Sequence, residues 1–332
     1  MFEPVVVPGQ GEEPTPEVLL AEIANWVQSD PLRALVRRFG NGQATGDLAA
    51  QLAYLDEFTA EAWDFRAAAA GPARERNQVA VDAITGDDEL LVYAATEALG
   101  LRTPRPPRYA SYDHVVVLGG LVRANIWRPA YAAHLLRHGI AAPEVTAISA
   151  FRDLARNDQD PAKDEYRLLQ VFDLPRRNYE WEVMEDGLRR AFDLPPFRVQ
   201  QESGPDAYGA DRFRVASAES ADQLFRLVVA PALEPGRPRA NTADGYRYWA
   251  EQVGHVKPGA RVLAVTTCIY VPYQHAVAIQ LLGIPFDCSI DTVGIDFTVI
   301  DDRLSPQEFR GVHYLQETRS AIRAYRQLVA ML

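Results

Sequence analysis

A chain of 332 residues, 48% hydrophobic and 24% charged, carries enough apolar material for one large domain or two ordinary ones, which argues against a chain dominated by disorder. The formal charge of −11 and a pI near 5.1 argue against general binding to nucleic acid or to anionic membranes, because a phosphate-tracking surface takes clustered Lys and Arg. The two cysteines, Cys268 and Cys288, stand in no Cys-x-x-Cys spacing, so neither a disulfide framework nor a thiolate zinc site is indicated and a reducing compartment is expected.

The opening residues, as far as Glu17, hold an apolar run of three with no basic segment before it, so no secretory signal is expected. No stretch approaches the roughly 20 apolar residues of a membrane span. The expectation is a soluble, cytoplasmic protein.

From about Pro16 to Gly100 the pattern is helical: Val18, Leu19, Ile23 and Val27 fall at helical spacing, Leu32, Leu35 and Val36 follow, and Ala-rich segments continue to Leu99. The stretch Arg102 to Arg108 carries three prolines and cannot continue a helix, which places a boundary near residue 105. Residues 1–105 are read as a helical region and 106–332 as the second domain.

Beyond the boundary, short β-rich runs alternate with amphipathic segments, the pattern of βαβ units. The fold class expected is α/β: a three-layer, Rossmann-like domain with a mainly parallel sheet. Its candidate strands are Val115 to Leu118, Val145 to Ser149, Leu227 to Ala230, Val262 to Thr266 and Phe286 to Ile290. A charged, irregular insertion is expected from Arg152 to Arg177, then a helix from near Asn178, with strands outside the main sheet between Phe197 and Ser217. The last helix is expected to open with Ser305 as N-cap, Pro306 at its first position and Glu308 closing a capping box. Its apolar stripe is Leu315, Ile322, Tyr325 and Val329.

Two crossovers match each other. One runs from His114 through Gly119 and Gly120 to Pro129, the other from Arg261 through Thr266 and Thr267 to Pro272. Each passes from a buried strand into a loop of small, hydroxyl or cationic residues and then into a helix read as opened by proline and closed by glycine, at Gly139 and Gly283. In open parallel sheets ligands settle outside the carboxyl ends of the strands, facing helix N-termini. Gly119 and Gly120 let backbone approach a ligand, and Arg123 and Arg128 offer fixed positive charge to a phosphate or carboxylate. The plain alternative is a tight turn with solvated or paired arginines. Gly119-Gly120 is not the dinucleotide fingerprint, and no Walker lysine follows.

Glu180 falls in the first turn of its helix, where it is either a dipole-favoured acid or a carboxylate turned into the cleft as a base. Asn241-Thr242-Ala243-Asp244 reads as a helix cap or as part of a site. Cys268 has no assignable histidine partner, and His275 reads first as a packing histidine. Asp287, Asp291, Asp296, Asp301 and Asp302 show no metal-ligand spacing, and no metal is expected.

The order of segments resembles the SanA, ElyC and YdcF-like family, in its soluble YdcF-type branch, on Asp113 to Gly120, the Val145 to Ser149 strand, Glu180 with Met184, Asn241 to Asp244, and Val265 to Tyr270 running on to Gly283. The resemblance implies a cleft formed by the glycine loop, Glu180, Asp244 and the Thr-rich loop, with Glu180 and Asp244 as catalytic residues and Asn241, Thr242, Thr266, Thr267, Tyr270 and Gln274 as ligand contacts. It also implies a nucleotide or S-adenosylmethionine as ligand. The chain departs from that family at Ala150-Phe151, at Gly245, and at Val271 and Gln274, where a histidine and an arginine are expected. The function expected is therefore binding of a nucleotide- or nucleoside-type small molecule, with hydrolase or transferase activity. A non-catalytic binding protein, or a biosynthetic enzyme with the insertion as a lid, are the alternatives.

Overall fold

The computed structural model describes residues 2–11, 15–40, 42, 44–65, 83–154, 164–204, 206–220, 223–300 and 307–332. In chain order the helices and strands are α1 (Pro16–Val27), α2 (Asp30–Phe39), α3 (Leu48–Ala62), α4 (Asp87–Ala98), β1 (His114–Leu118), α5 (Val122–Arg137), β2 (Glu144–Ser149), α6 (Glu165–Val171) and α7 (Glu180–Phe192). They continue with β3 (Arg198–Glu202), β4 (Arg214–Ser220), β5 (Gln223–Val229), α8 (Thr242–Tyr248), β6 (Arg261–Thr266), α9 (Val271–Ala278), α10 (Ile284–Phe286), β7 (Ser289–Gly294) and α11 (Gly311–Val329). Two compact units result: Met1–Pro104 with Cys268–Gln280 and Glu308–Leu332, and Arg105–Thr267 with Leu281–Gln307. Among the described residues no helix is long and apolar enough to cross a membrane.

The first unit is helical, and its punctuation is local chemistry. Thr15 caps α1 by accepting from the Val18 N–H at 3.3 Å, with Pro16 at the first helical position, and Asp47 caps α3 by accepting from Ala50 N–H at 2.8 Å. The buried Trp26 donates its indole N–H to Leu99 O at 3.2 Å and meets Tyr325 edge-on at 5.1 Å. The last helix begins later than expected. Residues 305 and 306 lie outside the described residues, 307–310 are non-helical, and α11 starts at Gly311. Glu89, in the first turn of α4, sets that start by accepting from Arg310 Nε at 2.7 Å, Arg310 Nη2 at 2.9 Å and Gly311 N–H at 3.0 Å. A tertiary carboxylate therefore takes the place of the expected Ser-Pro cap. Leu315, Ile322 and Tyr325 are buried as expected, and Leu328, not Val329, completes the stripe.

The second unit is the α/β body, with one seven-stranded sheet in the order β3-β4-β5-β2-β1-β6-β7. β5, β2, β1, β6 and β7 run parallel, and β3 and β4 add to the β5 edge antiparallel. Taken alone, the parallel strands follow the Rossmann order 3-2-1-4-5, in which succession reverses direction at β1. Val115, Val117, Val145, Ala147, Leu263 and Val265 share a core with α5 and α7 residues such as Ile126, Trp127, Val183, Met184 and Leu188. Strands buried on both faces read as the continuous apolar runs seen in β1, β2 and β6.

Four local expectations are corrected. The strands between Phe197 and Ser217 join the main sheet. The fifth parallel strand is Ser289–Gly294, not Phe286 to Ile290: Phe286 ends a one-turn helix and Asp287 sits at φ 49°. Asp291 disguised this strand, because its charge marks an end in sequence. In the fold it is a buried mid-strand residue that accepts from Tyr112 OH at 2.5 Å and Arg108 N–H at 2.8 Å. The insertion is not wholly irregular, since Asp164 caps α6 by accepting from Tyr166 N–H at 2.9 Å; its Arg156, Asp158, Asp160 and Lys163 lie outside the described residues.

The fourth correction concerns α5, which starts at Val122 and carries Pro129 inside it. A proline there removes the N–H that Asn125 O would receive. Gly187 of α7 lies against that carbonyl so closely that a Cβ on it would come within 1.9 Å of Asn125 O. The two helices are thus packed at backbone distance, the Gly187 Cα against the oxygen that Pro129 leaves over. Gly187→Ala is expected to lower the unfolding midpoint, at a cost of more than about 2 kcal/mol. Chemical denaturation of the two proteins measures it, and an unchanged midpoint would mean that α5 and α7 separate freely.

Candidate functional site

β1 and β6 are neighbours in register, Val117 opposite Val265, so Gly119 and Thr267 leave the sheet side by side on its carboxyl edge. Arg128 of α5 ties the two exits together. Its Nη1 donates to Leu118 O at 2.7 Å and Gly119 O at 2.6 Å, and its Nε and Nη2 donate to Thr267 Oγ1 at 3.3 and 3.2 Å. Arg128 is 2% exposed, so its charge serves first to hold the loops. Asn125, wholly buried and not singled out in the sequence, does the same across the helices: Gly120 N–H donates to its Oδ1 at 2.8 Å and its Nδ2 donates to Glu180 O at 2.7 Å.

Glu180 is the first residue of α7, 5% exposed, and lies directly beside the glycine loop. Ser149 Oγ, at the end of β2, is 3.4 Å from its Oε1, and Arg152 Nη1 is 3.8 Å from its Oε2. A Cβ on Gly119 would fall 2.7 Å from the same Oε1 and 2.8 Å from Ile148 O, so the absent side chain is what lets the carboxyl approach. Burial pushes the Glu180 carboxyl up to about 7, against the pull of Arg152, Arg239 and Arg128 and of the Ser149 hydroxyl.

A second acid joins it that sequence reading placed in a solvated insertion. Glu165, at the start of α6, is 5% exposed and accepts from Val122 N–H, the first of α5, at 2.9 Å. Burial likewise raises it to about 7, opposed by the Val122 N–H and by Arg152 and Arg123 and reinforced by the charge of Glu180. The signal available in sequence was Asp164 followed by Leu168 and Leu169, a cap before an apolar face. Arg123 also stacks over Trp127 at 5.6 Å.

Asp244 and Asn241 form a reciprocal cap on α8: Asp244 N–H donates to Asn241 Oδ1 and Asn241 N–H to Asp244 Oδ2, both at 2.9 Å, with Arg237 Nη1 3.8 Å from that oxygen. Thr242 is the first residue of the same helix. A Cβ on Gly245 would lie 2.4 Å from Ile148 Cγ2, so this glycine lets α8 settle on the end of β2. Thr266 is wholly buried at the end of β6. Glu180, Gly119, Gly120, Arg128 and Thr267 are thereby linked around one strand edge.

Tyr270 and Gln274 belong to the other compact unit, both buried, as do Cys268 and His275. His275 is fully buried, and a Cβ on Gly9 would lie 2.9 Å from its Nε2, which fits a packing histidine. Asp296 accepts from Thr298 N–H at 2.9 Å in a local turn, and Asp301 and Asp302 lie outside the described residues.

A family model for the Rv3785 N-terminal domain matches residues 10–100. The chain is 28% identical over 324 residues to the uncharacterized protein Rv3785 of Mycobacterium tuberculosis (strain ATCC 25618 / H37Rv), a span of 92% of this chain and 87% of that protein. It is similar to the same extent to the uncharacterized protein Mb3814 of Mycobacterium bovis (strain ATCC BAA-935 / AF2122/97). No solved structure matches the chain. These similarities overturn the resemblance to the SanA, ElyC and YdcF-like family, and the S-adenosylmethionine expectation that rested on it is withdrawn. The segments that carried that likeness are apolar strands ending in small residues and a capped helix, which parallel sheets produce for packing reasons alone.

The two raised carboxyls have a pH signature. The folded chain binds the Glu180 proton more tightly than the unfolded chain, whose value stays near 4.5, so the stability that this group contributes is fully present below 4.5, falls as pH rises, and is lost above 7. Glu180→Gln is expected to gain on the wild type from pH 5 to pH 8, by up to about 3 kcal/mol at the upper end. Thermal midpoints of both proteins across that range check it. An offset independent of pH would show a carboxylate already ionised in the native state.

Proposed function

We propose that this protein binds a small anionic molecule of nucleotide or nucleoside type against the carboxyl ends of β1, β2 and β6, with Glu180 exchanging a proton with it. The observation that carries the reading is a buried carboxyl at about 7, on the first turn of a helix, beside a glycine at the point where strand order reverses. An acid at that value is half protonated near neutrality and serves either as base or as acid. Arg152 and Arg239, which with the loop-holding Arg128 pull on its charge, suit a ligand that brings negative charge. The α7 N-terminus adds a positive dipole end on the same side. Substrate turnover, where it occurs, is hydrolysis or group transfer under this reading.

One observation favours a non-catalytic version of the same site. Asp244, the second expected catalytic acid, has one oxygen bonded within its own helix cap and faced by Arg237, which leaves Glu180 without an obvious partner acid from α8. Glu165 is then the acid nearest to that role.

The test is a thermal-shift series with nucleosides, nucleoside mono- and diphosphates and sugar phosphates, followed by an activity assay on whichever binds. A binder present at a hundred times its Kd is expected to add about 3 kcal/mol of stability. Any turnover is expected to disappear in Glu180→Gln while binding persists. If no member of the series raises the midpoint, the proposal fails; if one binds and nothing turns over, the non-catalytic version stands.

A further inference from the structure

The two chain segments that meet at Glu180 also carry an aromatic cluster. Residues 152–154 run alongside 178–180, with Glu180 N–H donating to Arg152 O at 2.8 Å and Leu154 N–H to Asn178 O at 2.9 Å. This pairing sets Phe151 beside Tyr179 at 6.0 Å and near-perpendicular, and Trp181 stands 6.3 Å from Phe151. Two arginines stack on these rings, Arg212 from just before β4 and Arg214 from its first position. Arg214 covers Trp181 at 4.5 Å and is ion-paired with Glu202 at 2.5 Å. Arg212 lies 4.0 Å from the Phe151 ring centre and 4.7 Å from that of Tyr179.

The two differ in one respect. Among the described residues no carboxylate, carbonyl or hydroxyl accepts a hydrogen bond from the Arg212 guanidinium, whose contacts are the two rings. Its position is nevertheless set. The turn that bears it is fixed by Ala232 N–H donating to Gly209 O at 3.1 Å, and stacking in the corner of two perpendicular rings limits its rotamers. A half-buried guanidinium held flat, with its N–H groups open to water, is prepared for a bidentate oxyanion at little further entropic cost.

We propose that Arg212 is the anion anchor of this site, taking the phosphate or carboxylate group of the bound molecule while Glu180 faces its other part. The inference rests on the ligand class proposed above and adds the residue that selects for the anionic group. Arg214, identical in type and stacking, is already neutralised and does not share the role.

Isothermal titration calorimetry on the full chain, with inorganic pyrophosphate and succinate as probes, tests it. Binding of at least one probe is expected, and which one binds distinguishes a phosphate from a carboxylate ligand. Arg212→Met, which keeps the apolar stem, is expected to weaken that binding by on the order of tenfold or more. Arg212→Lys, which keeps charge without the planar fork, is expected to fall between, and Arg214→Met to bind as wild type does. The lysine variant also decides the case should the methionine variant fail to fold. Wild-type affinity in the Arg212 variants overturns the anchor and leaves the proposed site standing. A wild-type protein that binds neither probe overturns the anchor and the anionic ligand class together.

Discussion

The Arg128 guanidinium is the constraint on which the carboxyl edge of the sheet depends. Two parallel strands end side by side, and beyond their last paired residues the chain has carbonyls to satisfy and no ladder to satisfy them. Arg128 answers at Leu118 O, Gly119 O and the Thr267 hydroxyl at once. Because it projects from α5, the helix that also carries Asn125 and Pro129, the same element fixes the glycine loop and the start of α7. The Glu180 carboxyl is held in the dry space that results, and its raised pKa follows from that burial.

Much of this architecture was legible in the amino-acid order. The runs Val115 to Leu118, Val145 to Ser149 and Val262 to Thr266 are too apolar and too short for anything except buried strands, and they are β1, β2 and β6 almost residue for residue. The helical reading from Pro16 to Gly100 rested on equally local signals, the spacing of Leu19, Ile23 and Val27 among them, and α1 to α4 fall within it, with residues 66–82 outside the described residues. The failures have a common origin in long-range partners. Asp291 looks like a strand end until Tyr112 and Arg108 are beside it, and Gly311 looks unremarkable until Glu89 caps it. All three partners are far away in sequence.

The candidate site divides the same way. Gly119, Arg128, Thr267 and Glu180 were readable because strand-end loops and helix first turns are local patterns. Glu165 and Asn125 were not, since nothing in a charged insertion or in the first turns of a helix announces that a side chain is dry. Arg212 was missed for a further reason: its significance lies in what it stacks on, and Phe151 and Tyr179 are separated from it by dozens of residues. The lost family resemblance carries the converse lesson, that locally readable signals recur wherever a parallel sheet must end.

The threading of the chain has a consequence for how the molecule is made. Among the described residues, the helical unit takes α1 to α4 from before the α/β body and its longest helix, α11, from after it. α11 packs against α3 and α4, so until residues 311–329 are synthesised those helices lack the element that covers their apolar flank in the fold. The whole of the α/β body is synthesised in the interval. A nascent chain thus carries an unfinished helical cluster while residues 105–310 are made, and a piece cut after residue 104 lacks α11 and keeps that flank uncovered.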